Sequence, residues 1–572
     1  MRVYACAAVL LLLGAKAFAA TPAASGSGDA GGSASAPLPA EIRQQLDQTQ
    51  QILRDQAEML RAMRQEIDRQ GREIESLRRR LPEETPAAAP VDAGETAARL
   101  ESAVLTLREP ARQALVRPIM PAKVRESTQP DVKAGELAFH LGNATFTPSG
   151  WVDFTAYLRS TDVGSGIGTN FLSIPYSNTP QGGLSETRLT AQSSRFAFRV
   201  DEAVGDTKAY GYAEADFNGY LPGNAYVSTN SDSLRLRVYY LNLSRGKWEV
   251  LGGQSWSLLT PTRKALSPFL SDIFNTFHLD TNYQLGLTYA RQTQLRFVYH
   301  PTSQWAAGLS VENPEQFSGG GVTFPVLFST AETDIGSSSG SGGATSTPNM
   351  HPDVIAKVTW DRNVGGLYWH MGVAGLLTPT RIVTPASVTK DGSVTDAREG
   401  AGVAADMNLG LFRGFHLIST AYWSDGGGRY IGGSGPGFVV LQHGSATKPF
   451  SAALIHSGSG IGGFEWAVDK RTTVASYVSA AYFQRRFGLD PDLTTPTFVG
   501  YGFPGSSNAN NRIIGEASFA STSTLWQNKA YGALQVITQT SYVNRAPWYV
   551  APGQPKDAHV FMQFMNLRYV LP

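Results

Sequence analysis

Charged side chains that recognise carboxylates recur at alternate positions along one part of the chain. Arginine suits this chemistry because its guanidinium stays charged at physiological pH and forks onto both carboxylate oxygens. The candidates with the same alternation are Arg159, Arg195, Arg199, Arg235, Arg237, Glu214 and Asp216, and Arg188, Arg291 and Arg296 extend the set. Because arginines outnumber acids, the pattern favours a weak preference for small anions, and a diacid would bridge two arginines.

Each of these arginines also has a purely structural alternative. Arginines and carboxylates facing one another on adjacent strands form a cross-strand ladder that braces the wall without binding a solute. The sequence leaves the two roles open for any single arginine.

The alternation around these residues has a period of two, which is typical of β-strands. In Arg195–Val200 the apolar Phe196 and Phe198 alternate with Arg195 and Arg199. A water-soluble sandwich would bury the apolar face, whereas an outer-membrane barrel turns that face to lipid and the charged face to an aqueous lumen. Several charges on the inner face are costly in a packed core, so the pattern favours the barrel.

Long and short connections alternate along the region that begins at Gly150. Eight long polar segments and seven short turns divide it into sixteen strands, with long segments at Thr161–Glu186, Gly219–Asp232, Ser257–Asn282, Pro314–Pro352, Thr378–Glu399, Gly426–Pro449, Gly488–Asn511 and Asn544–Asp557. The last short turn is expected at Ser521–Asn528. Such asymmetry predicts an all-β transmembrane barrel of 16 antiparallel strands.

The residues before the barrel divide into four segments. Residues 1–19 have a basic residue, a short apolar run and a small-residue cleavage site, which is typical of a signal peptide. Residues 20–40 form a flexible Ala/Gly/Ser-rich linker, residues 41–82 an α-helical coiled coil and residues 83–149 a Pro-bearing connector, ahead of the barrel at 150–572. An N-terminal membrane anchor is the alternative to a cleaved signal.

The coiled coil is predicted from six heptads. Leu or Ile occupies every d position from Leu46 to Leu81, and Thr49, Gln56 and Gln70 occupy a positions. Polar a layers fix register and oligomer state, so we expect self-association, with three strands favoured over two. A single amphipathic helix packed on another domain is the alternative.

Short motifs carry a family resemblance. The chain resembles DcaP-like trimeric outer-membrane porins in the order of SSRFAFRV, AEADFNG, LRLRVYY, VLGGQSWS and ARQTQLRFVY, all between Ser193 and Tyr299, and in the heptads ahead of the barrel. The resemblance implies a homotrimer of sixteen-stranded channels, some members of which take up dicarboxylates and other small anions. It also implies a bacterial outer-membrane location, with the N-terminal segment in the periplasm.

A constriction is expected in the third long loop, Ser257–Asn282, since the third loop of trimeric porins folds into the channel. Arg263, Lys264 and Asp272 are its candidate charges, and an ordinary surface loop is the alternative. The aromatic residues near strand ends are expected to form interfacial girdles, at Trp151, Trp248, Trp305, Tyr368, Trp369, Tyr422, Trp423, Tyr542 and Tyr569.

Several other classes of function lack support. The net charge of +1 argues against a nucleic-acid binder. The single cysteine, Cys6, lies in the predicted signal peptide, and the nine histidines show no metal-ligand spacing, so we expect no metal, no cofactor and no disulfide. No nucleophile elbow or phosphate-binding loop precedes a helix, and no catalytic residue is therefore assigned.

The expected function is that of a porin through which small polar solutes, especially anions such as dicarboxylates, diffuse passively. Two rivals stay open. One is an outer-membrane tether whose coiled coil binds peptidoglycan or another envelope component, and the other is a barrel enzyme.

Overall fold

The computed structural model describes residues 137–219, 232–269, 272–273, 283–319, 321–328, 350–384, 389, 392–432, 435–443, 449–491 and 495–572. The predicted signal peptide, linker and coiled coil lie outside these residues. Among the described residues, no helix has the length and apolar character needed to cross a membrane.

Nearly all regular structure is β-strand. The strands are β1 (Phe139–Leu141), β2 (Ala144–Arg159), β3 (Glu186–Thr190), β4 (Arg195–Val204), β5 (Thr207–Asp216), β6 (Arg235–Arg245), β7 (Trp248–Trp256), β8 (Arg291–Tyr299), β9 (Trp305–Glu312), β10 (Asp353–Val364), β11 (Leu367–Thr384), β12 (Val394–Phe412), β13 (Phe415–Asp425), β14 (Phe438–Gln442), β15 (Phe450–Leu454), β16 (His456–Ala467), β17 (Thr472–Phe483), β18 (Arg486–Asp490), β19 (Thr497–Tyr501), β20 (Asn511–Asn528), β21 (Gly532–Pro547) and β22 (Ala558–Val570). Short 3-10 helices span Phe171–Ser173, Gln181–Gly183 and Gly428–Tyr430.

One antiparallel sheet closes on itself as a barrel. Each strand pairs with its neighbours in sequence, and β2 pairs with β22 to complete the ring. The sheet has 18 segments, of which β1 only extends one end of β2, while β3 and β4 are two halves of one strand that pairs with β2 throughout. Omitting β1 and counting β3 with β4 as one leaves 16 barrel strands, as the sequence predicts.

The two faces of the wall have opposite character. On β2 the apolar Phe154 and Leu158 are 47% and 45% exposed, whereas Asp153 and Arg159 are 1% and 0% exposed. Outward apolar side chains with charged side chains inside suit a barrel surrounded by lipid. This distribution excludes the sandwich, in which the apolar face would be buried.

Several strand boundaries differ from the sequence prediction. The first barrel strand begins at Ala144, ahead of the alternation noted from Gly150. The predicted loop Thr378–Glu399 is much shorter, because β11 continues to Thr384 and β12 begins at Val394. The predicted turn Ser521–Asn528 is wrong, since these residues belong to β20. Their serines and threonines remain in the ladder, and Ser521 and Thr538 hydrogen bond across it at 2.8 Å.

Two long loops contain hairpins of their own. The loop between β13 and β16 contains β14 paired with β15, and the loop between β17 and β20 contains β18 paired with β19. These hairpins lie at the end of the barrel that carries the long connections. That end is therefore substantially covered by ordered backbone.

The predicted aromatic girdle is only partly correct. Trp248, Trp305, Trp423, Tyr542 and Tyr569 are exposed on the outer wall. The remaining predicted members turn inward or bind the backbone instead. Tyr422 is buried with its hydroxyl donating to the Gly427 carbonyl, Tyr368 donates to Asp361, and the Trp151 and Trp369 indoles donate to the carbonyls of Ser193 and Gly410.

Candidate functional site

A ladder of ion pairs lines the inner wall at β4, β5 and β6. Arg237 binds both acids of β5, with 2.6 Å from its Nε to Glu214 and 2.8 Å from its Nη1 to Asp216. Arg235 binds the same Asp216 carboxylate at 2.7 Å, and Arg195 lies 3.4 Å from Glu214. We call these five residues the arginine ladder.

The arginine ladder has an excess of positive charge. Its three arginines share two carboxylates, so its formal charge is +1. Arg195, Arg237, Glu214 and Asp216 are buried, whereas the Arg235 side chain is 33% exposed. Most of the ladder therefore braces the wall, as the structural alternative predicts, and Arg235 is its accessible cation.

The two remaining predicted arginines lie outside the ladder. Arg159 is buried and pairs with Glu186 at 2.5 Å, and it also donates to the carbonyls of Gly166 and Ile167 in the first long loop. Arg199 pairs with Asp201 on its own strand, at 2.6 and 2.7 Å. Arg159 thus fixes a loop, and Arg199 is locally neutralised.

Two further arginines extend the positive wall onto β8. The guanidinium carbons of Arg237 and Arg291 lie 5.9 and 5.7 Å from the ring centroid of Trp256. The Nη1 atom of Arg291 is buried and has no hydrogen-bond partner among the described residues. Arg296 donates to Gln294 and to the Trp256 carbonyl rather than to a carboxylate. Charge on this wall is therefore predominantly positive.

The third long loop, between β7 and β8, extends into the barrel. Arg263 of this loop forms a bidentate ion pair with Glu465 of β16, at 2.7 and 2.8 Å. Burial lowers the pKa of Arg263, but Glu465, Tyr477 and Asp272 together raise it by more, so the net pKa lies above its usual value. The pair is buried, and it fastens the loop to a distant strand.

Other contacts of the third loop reach still further around the ring. Lys357 of β10 donates to the carbonyl of Thr260, and the backbone amide of Leu285 donates to Glu516 of β20 at 2.7 Å. Along the barrel, β7 and β8 are the fifth and sixth strands, β16 the twelfth and β20 the fourteenth. Contacts with strands on opposite sides place the loop across the lumen.

The three predicted loop charges occupy different environments. Arg263 is buried against Glu465, Lys264 is exposed, and Asp272 is half-buried. The Arg263 amide donates to the Asp272 carbonyl at 2.5 Å, which brings the two segments of the loop together. Of the three, Lys264 is the one whose charge faces solvent.

A charged cluster on β10, β11 and β12 was not among the predicted residues. Lys357 pairs with Asp406 at 2.9 Å, and His370 lies between Asp361 and Asp406, at 2.8 and 3.2 Å. The same alternation would have indicated Lys357, which lies between the outward Ala356 and Val358. Asp361 also accepts the backbone amide of Ala265, so this cluster is a further anchor for the third loop.

His351, at the loop end of the barrel, provides a pH-sensitive contact. Its ring nitrogens contact the Pro352 carbonyl at 2.7 Å and the Glu399 carboxylate at 3.0 Å, and these contacts raise its pKa, the carbonyl contributing most. Because the folded pKa is raised, the stabilisation is complete below the ordinary pKa near 6.5 and is lost as pH rises through the folded value.

We therefore expect the His351 titration midpoint to lie above the ordinary histidine value, as measured by NMR of carbon-13-labelled histidine. Glu399→Gln is expected to lower the midpoint without abolishing the shift, since the Pro352 carbonyl remains. The variant H351Q identifies the signal. A midpoint at or below the ordinary value would contradict this assignment.

The described residues contain no group of three or more His, Cys, Asp or Glu side chains able to hold a metal ion. The arginine ladder and the third loop thus offer charge recognition and steric restriction. Neither arrangement presents a nucleophile with an adjacent general base.

No protein-family model matches the chain, and no curated protein sequence matches it. Among solved structures, the outer membrane channel DcaP of Acinetobacter baumannii is similar with a TM-score of 0.52 and 16% identity, over 76% of this chain and 99% of the channel. OmpT of Vibrio cholerae matches with a TM-score of 0.39 and 8% identity, over 76% of this chain and 99% of OmpT. An anion-selective porin from Comamonas acidovorans matches with a TM-score of 0.39 and 12% identity, over 75% of this chain and 100% of the porin. The described barrel therefore has the fold of the DcaP outer membrane channel, in agreement with the resemblance carried by its sequence motifs.

Proposed function

We propose that this chain is an outer-membrane porin through which small polar solutes diffuse, with a preference for anions such as dicarboxylates. The observation that carries the proposal is the arginine ladder, which has one positive charge in excess and whose Arg235 side chain is 33% exposed. Arg291 lies beside it as a further, partly exposed cation.

Two cations of this wall are accessible to a solute. Arg235 and Arg291 are partly exposed, whereas Arg195 and Arg237 are buried. A dicarboxylate would place one carboxylate on each accessible guanidinium, in charge-assisted hydrogen bonds. Binding of this kind must stay weak, because a conducting site has to release the solute as readily as it takes it up.

The third loop supports selection by size. Its anchors to Glu465 and Glu516 hold the backbone across the lumen, so a solute must pass between this loop and the wall. Lys264 adds an exposed positive charge to the loop. The width of the pore and the electrostatic field of its cations therefore act on a solute at the same level of the channel.

The quaternary structure belongs to the same proposal. The heptads at 41–82 favour a homotrimer with its coiled coil in the periplasm, on the side of the short turns. The outer membrane then surrounds the apolar wall, and the long loops face the cell exterior.

Ion selectivity tests the role of Arg291. In asymmetric KCl we expect the wild-type channel to favour chloride, and Arg291→Gln to reduce the chloride-to-potassium permeability ratio by up to about fivefold, because a unit charge at contact distance in water contributes ~1 kcal/mol. Succinate is expected to reduce the wild-type current more than that of R291Q.

The control is Arg413→Gln, which removes an exposed arginine from a short turn at the other end of the barrel. At 0.1 M salt its charge is screened within about 10 Å, so its selectivity should match the wild type. Equal selectivity of R291Q and the wild type, or a cation-selective wild type, would refute the anion preference.

A further inference from the structure

Two exposed arginines and a partly buried tryptophan form a cluster on the outer wall, at the end of the barrel that carries the long loops. Arg485 follows β17, Arg512 is near the start of β20, and Trp548 follows β21. The guanidinium carbons of Arg485 and Arg512 lie 5.4 and 5.9 Å from the centroid of the Trp548 ring. We call these three residues the rim cluster.

The charge of the rim cluster is uncompensated within the described chain. Arg485 and Arg512 are both exposed, and among the described residues neither forms an ion pair or a hydrogen bond through its guanidinium. Arginines elsewhere on the wall, such as Arg237, bind carboxylates directly. Two guanidinium groups beside one ring, neither with an anionic partner in the described part of the chain, are therefore available to an external anion.

Hydrogen bonds and close packing fix the position of the rim cluster. The Trp548 indole donates to the Phe483 carbonyl at 2.9 Å, and its backbone amide donates to the Asn510 carbonyl at 2.9 Å. Gly502, with φ of +72°, lets Arg485 and Trp548 come together, since a Cβ there would lie 2.7 Å from both side chains. The arrangement of the two cations is thus set by the fold.

The position of the rim cluster identifies the level of the membrane. Tyr482 lies beneath the Trp548 ring with centroids 6.1 Å apart, and it stacks on Trp423, which is 50% exposed on the outer wall. Exposed Trp and Tyr rings mark the boundary between hydrocarbon and headgroups. The cations immediately above this boundary lie at the height of lipid headgroups.

We propose that the rim cluster binds the phosphate groups of a phosphorylated glycolipid in the outer leaflet, a partner that rests on the proposed outer-membrane location. Arginine binds phosphate oxygens in forked hydrogen bonds, and basic sites beside membrane-spanning elements bind lipid headgroups. Two guanidiniums beside one ring match a headgroup with clustered negative charge. The flat indole supports the sugar or the upper acyl region.

Native mass spectrometry of the full-length protein in detergent, titrated with diphosphoryl lipid A, tests the proposal. Lipid A is expected to bind the wild type, and the apparent Kd is expected to rise about fivefold for Arg485→Gln or Arg512→Gln and about 30-fold for the double variant. The double lysine variant retains the charge and should recover much of the binding. R413Q, which lacks an exposed arginine at the opposite end, should bind as the wild type does.

Three further results would overturn the proposal. One is equal affinity for lipid A with and without its phosphates, and another is unchanged affinity of the double glutamine variant. The third is displacement of lipid A by 10-fold excess inorganic phosphate, which would identify a site for free anions. A change in electrophoretic mobility when the sample is heated confirms that each variant is a folded barrel.

Channel measurements on the same preparations separate this inference from the proposed function. A protein that conducts anions without binding lipid A would overturn the lipid site alone. A protein that binds lipid A through the two arginines without conducting would overturn the porin proposal alone.

Discussion

Replacing Arg237 with methionine is expected to destabilise the barrel by about 3 kcal/mol, because removing one partner of a buried ion pair costs roughly 3–5 kcal/mol. Arg237 is the residue that joins the two acids of the ladder, and both acids are buried. The loss in free energy of unfolding should lie near the lower limit of this range. Glu214 remains paired with Arg195, and Asp216 remains paired with Arg235. Guanidinium unfolding of the barrel in lipid measures the loss.

Arg199→Met is the matched control for this prediction. Its pair with Asp201 is more than a third exposed on both sides, and such pairs contribute at most about 1 kcal/mol. Arg237→Lys keeps the charge but cannot fork onto both acids, so we expect an intermediate loss. If R237M and R199M reduced the free energy of unfolding equally, the ladder would have no special structural role.

The second large effect is expected from Arg263→Ala, which removes the ion pair between the third loop and β16. The variant leaves Glu465 buried with Tyr477 as its remaining hydrogen-bond donor. The loss of a buried partner, roughly 3–5 kcal/mol, shifts a loop equilibrium by at least two orders of magnitude. We therefore expect the loop to leave the wall, with larger and noisier single-channel currents.

Lys264→Ala is the control for loop release. It removes the same charge from the neighbouring exposed residue without breaking the ion pair, so its currents should be no noisier than those of the wild type and should lack the increase expected for R263A. Glu465→Gln should reproduce the R263A phenotype, and the double variant R263A/E465A should add little to either single variant. Equal conductance of R263A and K264A would show that the ion pair does not hold the loop.

The sequence was sufficient to predict the strands and their two faces. Alternation with a period of two assigns Phe196 to one face and Arg195 to the other without any knowledge of the neighbouring strands. The structure confirms both assignments, since Phe196 is exposed and Arg195 is buried. Long-loop and short-turn asymmetry likewise predicted sixteen strands.

The pairing of charges could not be predicted in the same way. Which acid neutralises which arginine depends on register between strands, and a bulge between Glu214 and Ala215 shifts that register beside Arg237. Sequence alone therefore found the charged wall but could not distinguish the buried Arg237 from the accessible Arg235. Arg291, which extends the positive wall onto β8, was identified only as a further candidate.

The long-range contacts of the third loop could not be predicted from the sequence, for a related reason. Arg263 and Glu465 are 202 residues apart, and neither has a local pattern that indicates the other. Polar strand ends were also misassigned, because residues such as Thr378 to Thr384 extend β11 with the composition of a loop.

Single-channel recording of the purified wild-type protein in a planar bilayer, under a KCl gradient, tests whether the barrel is an anion-selective channel. We expect stable openings in steps of three, a reversal potential on the chloride side and a current reduced by succinate. A silent protein, or one whose reversal potential favours potassium, would contradict it.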